Sequence, residues 1–123
     1  MSDISNYQGF KPESNIYLVV DPVDFRKSVD GLTAIVQLEL MRDPMKPGCY
    51  VFCNKQNNRI KIIEWDFNGF WMHFKRLESG KFQWPRSTQE VLPISRSQYD
   101  WLMNGLNIYQ RDGFAEVLAS KVV

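Results

Sequence analysis

The feature that most constrains the fold is a series of short apolar segments, separated by tight turns, in the middle of the chain. The segments span residues 49–53, 59–66, 70–77 and 81–84, and the stretches between them, such as NKQNN and ESG, consist of turn-forming residues. Strands joined by so few residues pair antiparallel, because a parallel connection needs about a dozen residues or more. The pattern predicts an antiparallel meander, and Pro85 ends its last strand or confines that strand to an edge.

A different pattern precedes the meander. The run IYLVV at 16–20 is β-branched and aromatic and predicts a buried strand. Between 23 and 41, apolar residues recur on one helical face, at Phe25, Val29, Leu32, Val36 and Leu40. Asp21 suits the N-cap of this predicted helix and Pro22 its first position. Asp24 would lie in its first turn, where the helix dipole favours an acidic side chain.

A second helix is predicted after the meander. Ser95 and Gln98 have the spacing of a capping box, and an apolar stripe follows at Tyr99, Leu102, Met103 and Leu106. Together these elements predict an α+β domain. We expect an antiparallel four- to five-stranded meander sheet that is packed on one face by two or three helices.

The chain length favours one domain, because 123 residues suffice for a single core but not for two. We predict an N-terminal tail at 1–14, a single α+β domain at 15–108, and a C-terminal extension at 109–123 that is a candidate for a further short helix. No apolar stretch approaches the roughly 20 residues that cross a bilayer, and the N-terminus lacks the pattern of an export signal. We therefore expect a cytoplasmic protein with no membrane partner.

Side chains suited to metal binding or catalysis are few. The chain has two cysteines and one histidine, which argues against a four-ligand zinc site. Cys49 and Cys53 would be about 13 Å apart in a strand, too far for a disulfide, and we interpret both as buried thiols. We interpret His73 as a residue of a sheet face, and the chain contains no phosphate-loop motif. We therefore expect no metal, no cofactor and no independent catalysis.

The segment VDFRKSVDGL, at 23–32, combines two aspartates, an arginine, a lysine and a glycine. On a helix Asp24 and Asp30 would point about 120° apart, so they could not form a paired-carboxylate site. Arg26 and Asp30 are predicted to form an exposed i,i+4 ion pair. Gly31 inside a helix costs about 1 kcal/mol relative to alanine, and either close packing or a partner groove would explain its presence.

Positive charge is concentrated in the middle of the chain, where residues 55–86 hold seven basic and three acidic side chains. In the predicted strands, Arg59 and Lys61 alternate with isoleucines, and Trp71, His73 and Lys75 alternate with Phe and Met. We expect a sheet face of basic and aromatic groups, either an ordinary solvated surface or a nucleic-acid interface. The predicted nucleic-acid-binding residues are Arg59, Lys61, Trp71, Lys75 and Arg76.

Three segments resemble a known family: VDPVDFRKSVDGLTAIV, YVFCNKQNNRIKIIEWDFNGFWMHFKRLESGKFQWP and LPISRSQYDWLMNGL. In order and spacing they are similar to the small accessory protein of bacterial insertion sequences of the IS-sixty-six type, a TnpB-type, second-open-reading-frame product. The resemblance covers about residues 15–108, and DFRKSVDGL and RIKIIEWDFNGFWMHFKRLESGKFQWP are its most specific parts. It does not extend to the RNA-guided nuclease that shares the TnpB label, which is far longer and has its own acidic triad.

The resemblance implies a non-catalytic accessory protein that takes part in transposition beside a separate DDE transposase encoded by the same element. It brings no assigned catalytic residues with it. Our leading hypothesis is that the protein binds DNA through the basic and aromatic sheet face. The alternative is a protein-interaction module that docks on the transposase without binding DNA, through Arg26, Lys27, Asp30 and Gly31. The oligomeric state and any DNA sequence preference stay open.

Overall fold

Five strands and two helical regions form the part of the chain, residues 15–110, that the computed structural model describes. The strands are β1 (Ile16–Val19), β2 (Cys49–Cys53), β3 (Arg59–Asp66), β4 (Gly69–Arg76) and β5 (Val91–Ile94). The helices are α1 (Val29–Ala34), which continues into a π-helical segment (Ile35–Glu39), and α2 (Arg96–Met103). Within residues 15–110 no helix has both the length and the apolar character of a membrane span. The predicted tail at 1–14 and the candidate helix after residue 112 lie outside the described residues.

The five strands form one sheet in the order β4-β3-β2-β1-β5. The pairs β4–β3, β3–β2 and β1–β5 are antiparallel, and only β1 and β2 run parallel. The α+β class and the mainly antiparallel five-stranded sheet are therefore confirmed. The antiparallel meander itself comprises β2, β3 and β4, and its two predicted turns lie between them.

The segment at 81–84 is not a strand, contrary to the prediction. Phe82 is buried, its N–H donates to the carbonyl of Asn57 at 2.8 Å, and the indole N–H of Trp84 donates to the carbonyl of Val19 at 3.0 Å. The alternation at 81–84 therefore reflects two aromatic side chains that point into the core, not a paired backbone. The fifth strand is β5, which pairs with β1.

The two helices cover opposite faces of the sheet, so the expectation of packing on one face is corrected. Alternate residues of β2 belong to two separate clusters, since successive side chains of a strand point to opposite faces. One cluster joins Cys49, Val51 and Cys53 of β2 to Tyr99 and Leu102 of α2. The other joins Tyr50 and Phe52 of β2 to Leu32, Ile35 and Val36. We call these two sides of the sheet the α2 face and the α1 face.

The first helix begins at Val29, six residues later than predicted, and Ser28 is its N-cap residue. Residues 22–28 instead form an extended and turned segment on the α1 face, beside the end of β2. The N–H of Val23 donates to the carbonyl of Cys53 at 3.0 Å, and the N–H of Lys27 donates to the carbonyl of Asp24 at 3.1 Å. Asp21 and Pro22 therefore do not start a helix, and Asp24 is not in its first turn. Phe25 matches the helical spacing because it packs on the core from this segment.

Lys61 holds this segment in place. The lysine lies on the α1 face of β3 and is only 9% exposed. Its Nζ donates to the carbonyls of Phe25 at 2.7 Å and Lys27 at 2.8 Å, and it lies 5.2 Å from the centre of the Phe25 ring. Carbonyls outside a helix or sheet need partners when they are covered, and the ammonium supplies them here. The charge of Lys61 is thus used inside the fold.

The helix α2 begins as the sequence predicts. Ser95 Oγ accepts a hydrogen bond from the N–H of Gln98 at 3.1 Å, and Gln98 Oε1 accepts one from the N–H of Ser95 at 2.8 Å. The capping box is confirmed. Tyr99 and Leu102 of the predicted stripe are buried on the α2 face.

Replacing Ser95 with alanine should lower the free energy of unfolding by about 1 kcal/mol, because the substitution removes the side-chain cap. The matched control is Ser97→Ala in the same helix, where Ser97 is exposed and alanine is the better helix former. Urea denaturation measures both variants. Equal destabilisation by the two substitutions would contradict a role for the cap.

Replacing Lys61 with methionine should lower the free energy of unfolding by about 2 kcal/mol, because two carbonyls lose a charged donor. Amide hydrogen exchange should accelerate within 22–28 more than in β3. Lys75→Met on the neighbouring strand is the control, and since Lys75 is exposed it should change stability by less than about 0.5 kcal/mol. A Lys61 variant as stable as the Lys75 variant would show that the ammonium contributes nothing to the fold.

Candidate nucleic-acid interface

The five predicted nucleic-acid-binding residues do not share one face of the sheet. The cross-strand partners are Arg59 with Arg76, Lys61 with Phe74, Ile60 with Lys75, and Glu64 with Trp71. Arg59, Lys61 and Arg76 therefore lie on the α1 face, whereas Trp71 and Lys75 lie on the α2 face. The predicted alternation within each strand is correct. The prediction nevertheless placed on one face side chains of β3 and β4 that lie on opposite faces of the sheet. A change of register by one residue moves a whole set of side chains to the other face.

Lys61 is not available to a nucleic acid. Its ammonium is enclosed by the carbonyls of Phe25 and Lys27 and by the Phe25 ring, which also lies 6.3 Å from the ring of Phe74. A phosphate could reach this ammonium only if the segment 22–28 were displaced. Lys61 is therefore a structural residue, and the predicted set loses its central member.

Arg59 and Arg76 are brought together at one end of the β3–β4 hairpin. They are direct cross-strand partners on the α1 face, and both are exposed. Lys75, next in sequence to Arg76, is exposed on the α2 face. Arg76 Nε donates to Glu78 Oε2 at 3.0 Å, in a pair whose side chains are 55% and 79% exposed. Like charges directly opposite each other in a sheet repel, and a single exposed carboxylate offsets only part of this charge.

Two further lysines lie at the same end. The N–H of Leu77 donates to the carbonyl of Asn58 at 2.8 Å, and the N–H of Phe82 donates to the carbonyl of Asn57. Residues 77–82 therefore run beside the turn at 54–58. Lys55 in this turn and Lys81 in the adjoining segment are both exposed. We define the basic end of the sheet as Lys55, Arg59, Lys75, Arg76 and Lys81. Lys55 and Lys81 were not predicted, although each borders a turn at this end of a predicted strand.

The turn that carries Lys55 is organised by Asn54. This buried asparagine accepts hydrogen bonds through Oδ1 from the N–H groups of Asn58 and Arg59, both at 3.0 Å. Its amide Nδ2 donates to Asn58 Oδ1 at 2.7 Å. The Asn54 side chain thus replaces backbone partners inside the turn and fixes the start of β3 at Arg59.

Acidic side chains of the middle third lie away from the basic end, apart from Glu78. Glu64 is buried on the α2 face. Asp66 is at the opposite end of β3, about 24 Å from Arg59 at the usual rise of a strand. The excess of positive charge in the sequence is therefore a local feature of the structure.

Trp71 is not part of the basic end. Its indole N–H donates to Asp66 Oδ2 at 2.9 Å, and its ring stacks on that of His73 at 6.1 Å between centroids. Trp71 lies towards the end of β4 that faces Asp66, whereas His73 is near the middle of the strand. Burial lowers the pKa of His73 from its ordinary value. His73 is therefore biased towards its neutral form at pH 7.

The residues proposed for partner binding are divided between α1 and the segment that precedes it. Arg26 does not pair with Asp30, because the helix begins after Arg26. It bonds to Asp24 instead, with Nη2 at 2.6 Å from Oδ2, and this hydrogen bond lowers the pKa of Asp24 to about 2. Asp30 is exposed in the first turn of α1.

Gly31 has a packing reason. A Cβ atom built there would lie 3.0 Å from Lys27 Cβ and 3.2 Å from Lys27 Cγ. The chain therefore passes the helix so closely at Lys27 that a larger residue would require the segment to shift. This favours the close-packing explanation over a partner groove at the glycine itself.

A groove does lie beside the same segment, bordered by the end of β1, the segment 21–27 and the π-helical segment. Its apolar lining consists of Val19, Val23, Ile35 and Leu40, and its charged lining consists of Asp21, Asp24, Lys27, Glu39 and Glu90. We call it the acidic groove. Its chemistry would suit an apolar segment that carries basic side chains.

Metal or thiol chemistry has little support in the described part of the chain. Residues 15–110 contain no group of three or more His, Cys, Asp or Glu side chains arranged to hold a metal ion. Cys49 and Cys53 are free and fully buried, and burial raises the pKa of each thiol to about 12. Neither is a thiolate at neutral pH, as a reactive cysteine must be.

The chain is similar to proteins of one family. The family model described as "IS66 Orf2 like protein" matches residues 14–113. The uncharacterized protein y4jC of Sinorhizobium fredii (strain NBRC 101917 / NGR234) is 37% identical over 92 residues, which are 75% of this chain and 79% of that protein. The uncharacterized protein y4hO of the same strain is 27% identical over 92 residues, which are 75% of this chain and 80% of that protein. No solved structure gives a significant match. The chain therefore belongs to the IS66 Orf2-like family, whose role is accessory to transposition.

Proposed function

We propose that this protein binds the DNA backbone through the basic end of its sheet while it assists the transposase of its element, and that it performs no strand chemistry itself. One observation carries the proposal, namely that Arg59 and Arg76 are exposed and directly opposite each other. Lys75 adds a charge beside them, and Lys55 and Lys81 border the same end. Such a concentration of cationic side chains can neutralise the phosphates of a DNA backbone.

The form of this surface favours contacts with phosphates over contacts with base edges. The basic end consists of one hairpin end and two adjoining turns, and it presents long cationic side chains rather than a helix that could enter the major groove. We therefore expect binding that depends strongly on salt and weakly on sequence. The transposase would then supply recognition of the ends of the element.

Arg59→Glu should weaken binding to a labelled DNA duplex by about tenfold at low salt and should reduce the dependence of log K on log salt by about one. The control is Lys46→Glu, which changes the net charge equally but lies in the loop before β2, at the other end of the sheet. Fluorescence anisotropy with a duplex from the ends of the element and an unrelated duplex gives both quantities. Thermal melting checks that each variant is folded.

Equal binding by the Arg59 and Lys46 variants would contradict this proposal. A strong preference for the ends of the element would contradict the expected dependence on phosphates alone. Lys61 is unsuitable for such a test, because its substitution disturbs the segment 22–28 and would confuse loss of binding with loss of structure.

The second candidate function is docking on the transposase without DNA binding. The observation that favours it is the acidic groove, which combines an apolar lining with four carboxylates and lies against the segment that holds Arg26 and Lys27. In this function a basic, apolar segment of the transposase would occupy the groove. Arg26, Lys27, Asp30 and Gly31 would then contribute as its border and support rather than as one paired cluster.

Asp21→Lys should lower the affinity for the element's transposase by about tenfold in calorimetry or a pull-down, because it places a cation where the groove offers a carboxylate. Glu78→Lys makes the same change in charge at the basic end and serves as the control. If capture of the transposase survives Asp21→Lys and is lost with Glu78→Lys, the docking surface is wrong. If the transposase is captured and no DNA binds to the wild-type protein, docking replaces the leading proposal.

A further inference from the structure

The sheet ends in two edge strands that differ in their protection. β5 has four residues and contains Pro93, and both properties discourage pairing with another strand. β4 has eight residues, no proline, and no Asp, Glu, Lys or Arg from Gly69 to Phe74. Such an edge is a template for a further strand.

The backbone groups that β4 offers can be identified from its pairing with β3. The N–H of Leu77 donates to the carbonyl of Asn58, and these residues continue the register in which Arg76 faces Arg59. Hydrogen-bonded and non-hydrogen-bonded pairs alternate along an antiparallel ladder. The N–H and C=O groups that point away from β3 therefore belong to alternate residues, which are Phe70, Met72, Phe74 and Arg76.

Among residues 15–110 no strand pairs with this edge, and apolar side chains accompany it on both faces. Trp71 is 50% exposed on the α2 face, while Met72 and Phe74 are 37% and 55% exposed on the α1 face. The three side chains expose together roughly 300 Å² per copy, taking about 200 Å² for each whole side chain. A free backbone edge with exposed apolar groups on both sides suits the addition of a strand.

We propose that β4 pairs antiparallel with β4 of a second copy of this chain, about a twofold axis at His73, to form one continuous ten-stranded sheet. In this register Met72 of each copy lies opposite Phe74 of the other. All four residues with outward backbone groups then form hydrogen-bonded pairs, because Phe70 lies opposite Arg76 of the second copy. The interface is self-complementary, as a twofold axis requires.

The distribution of charge favours a second copy as the occupant. The apolar and aromatic residues of β4 precede its two basic ones, Lys75 and Arg76, so an antiparallel copy places each cation opposite an aromatic residue and keeps like charges apart. Lys75 of one copy lies opposite Trp71 of the other, which permits a cation–π contact. A parallel copy would align the cations of the two strands and would be disfavoured.

The expected area indicates a weak and reversible dimer. Two copies bury roughly 600 Å² from these six side chains, and backbone pairing adds to this area. The total buried area is near the low end for specific interfaces. The dimer should therefore form with rising protein concentration. It leaves the acidic groove uncovered, and of the basic end it takes in only Lys75 and Arg76, which belong to β4. The dimer is argued from the free edge of β4 and does not depend on the proposed function.

Sedimentation velocity over a dilution series of the full chain tests the pairing. Phe74→Lys should weaken self-association by about tenfold, because the change occurs twice across the axis and replaces apolar pairs with charge. Phe67→Lys is the matched control, since Phe67 is 88% exposed but lies in the turn before β4. A wild-type chain that stays monomeric at every concentration would overturn the proposal, and so would equal loss of dimer in both variants.

Cysteine cross-linking tests the register independently. In His73→Cys the two new cysteines would face each other in a non-hydrogen-bonded pair with Cα atoms about 4.5 Å apart, within disulfide range. In Lys75→Cys they would lie on the same face but about 13 Å apart along the strands. Mild oxidation should cross-link only the His73 variant, because Cys49 and Cys53 are buried in both. Cross-linking of the Lys75 variant alone, or of neither variant at concentrations where dimer forms, would overturn the proposed axis.

Discussion

The burial of β2 on both faces is the constraint on which the rest of the structure depends. All five residues of this strand are buried, and alternate side chains belong to different clusters. A three-stranded meander could not cover such a strand, so the chain must place a helical region on each side. The parallel crossover from β1 to β2 carries α1 and the π-helical segment over one face, and α2 follows β5 to close the other.

Local sequence predicted the elements whose state is decided locally. β2 and β3 have the predicted bounds, and α2 begins at the predicted capping box, because turn residues and caps act over three or four positions. The predictions for the start of α1 and for the segment at 81–84 were wrong for a different reason. Their conformations depend on partners far along the chain, since Lys61 binds the carbonyls of 25 and 27 and Val19 accepts the indole N–H of Trp84.

The candidate site shows the same difference between features that are decided locally and features that depend on distant partners. The sequence located the basic and aromatic residues of the hairpin and their alternation within each strand. It did not show which residues of β3 and β4 share a face of the sheet. That register is set by a hairpin turn in which Phe67, and not a glycine, adopts a positive φ of 57°. Register therefore decided that Arg59 joins Arg76 and not Trp71. Burial decided that Lys61, which has the same charge as its neighbours in the sequence, works inside the fold.

The position of β1 in the sheet has a consequence for the order of folding. β1 is the first described strand, yet its two neighbours are β2 and β5, and Ile16 is aligned with Ile94. Contacts between residues so far apart in sequence carry a large loop-closure entropy, whereas β2, β3 and β4 join through short turns. The meander can thus form while the chain is still emerging from the ribosome, but the sheet is completed only after β5 has been synthesised. Until then β1 has one unpaired edge, and this is when the nascent protein is most exposed to wrong strand pairing.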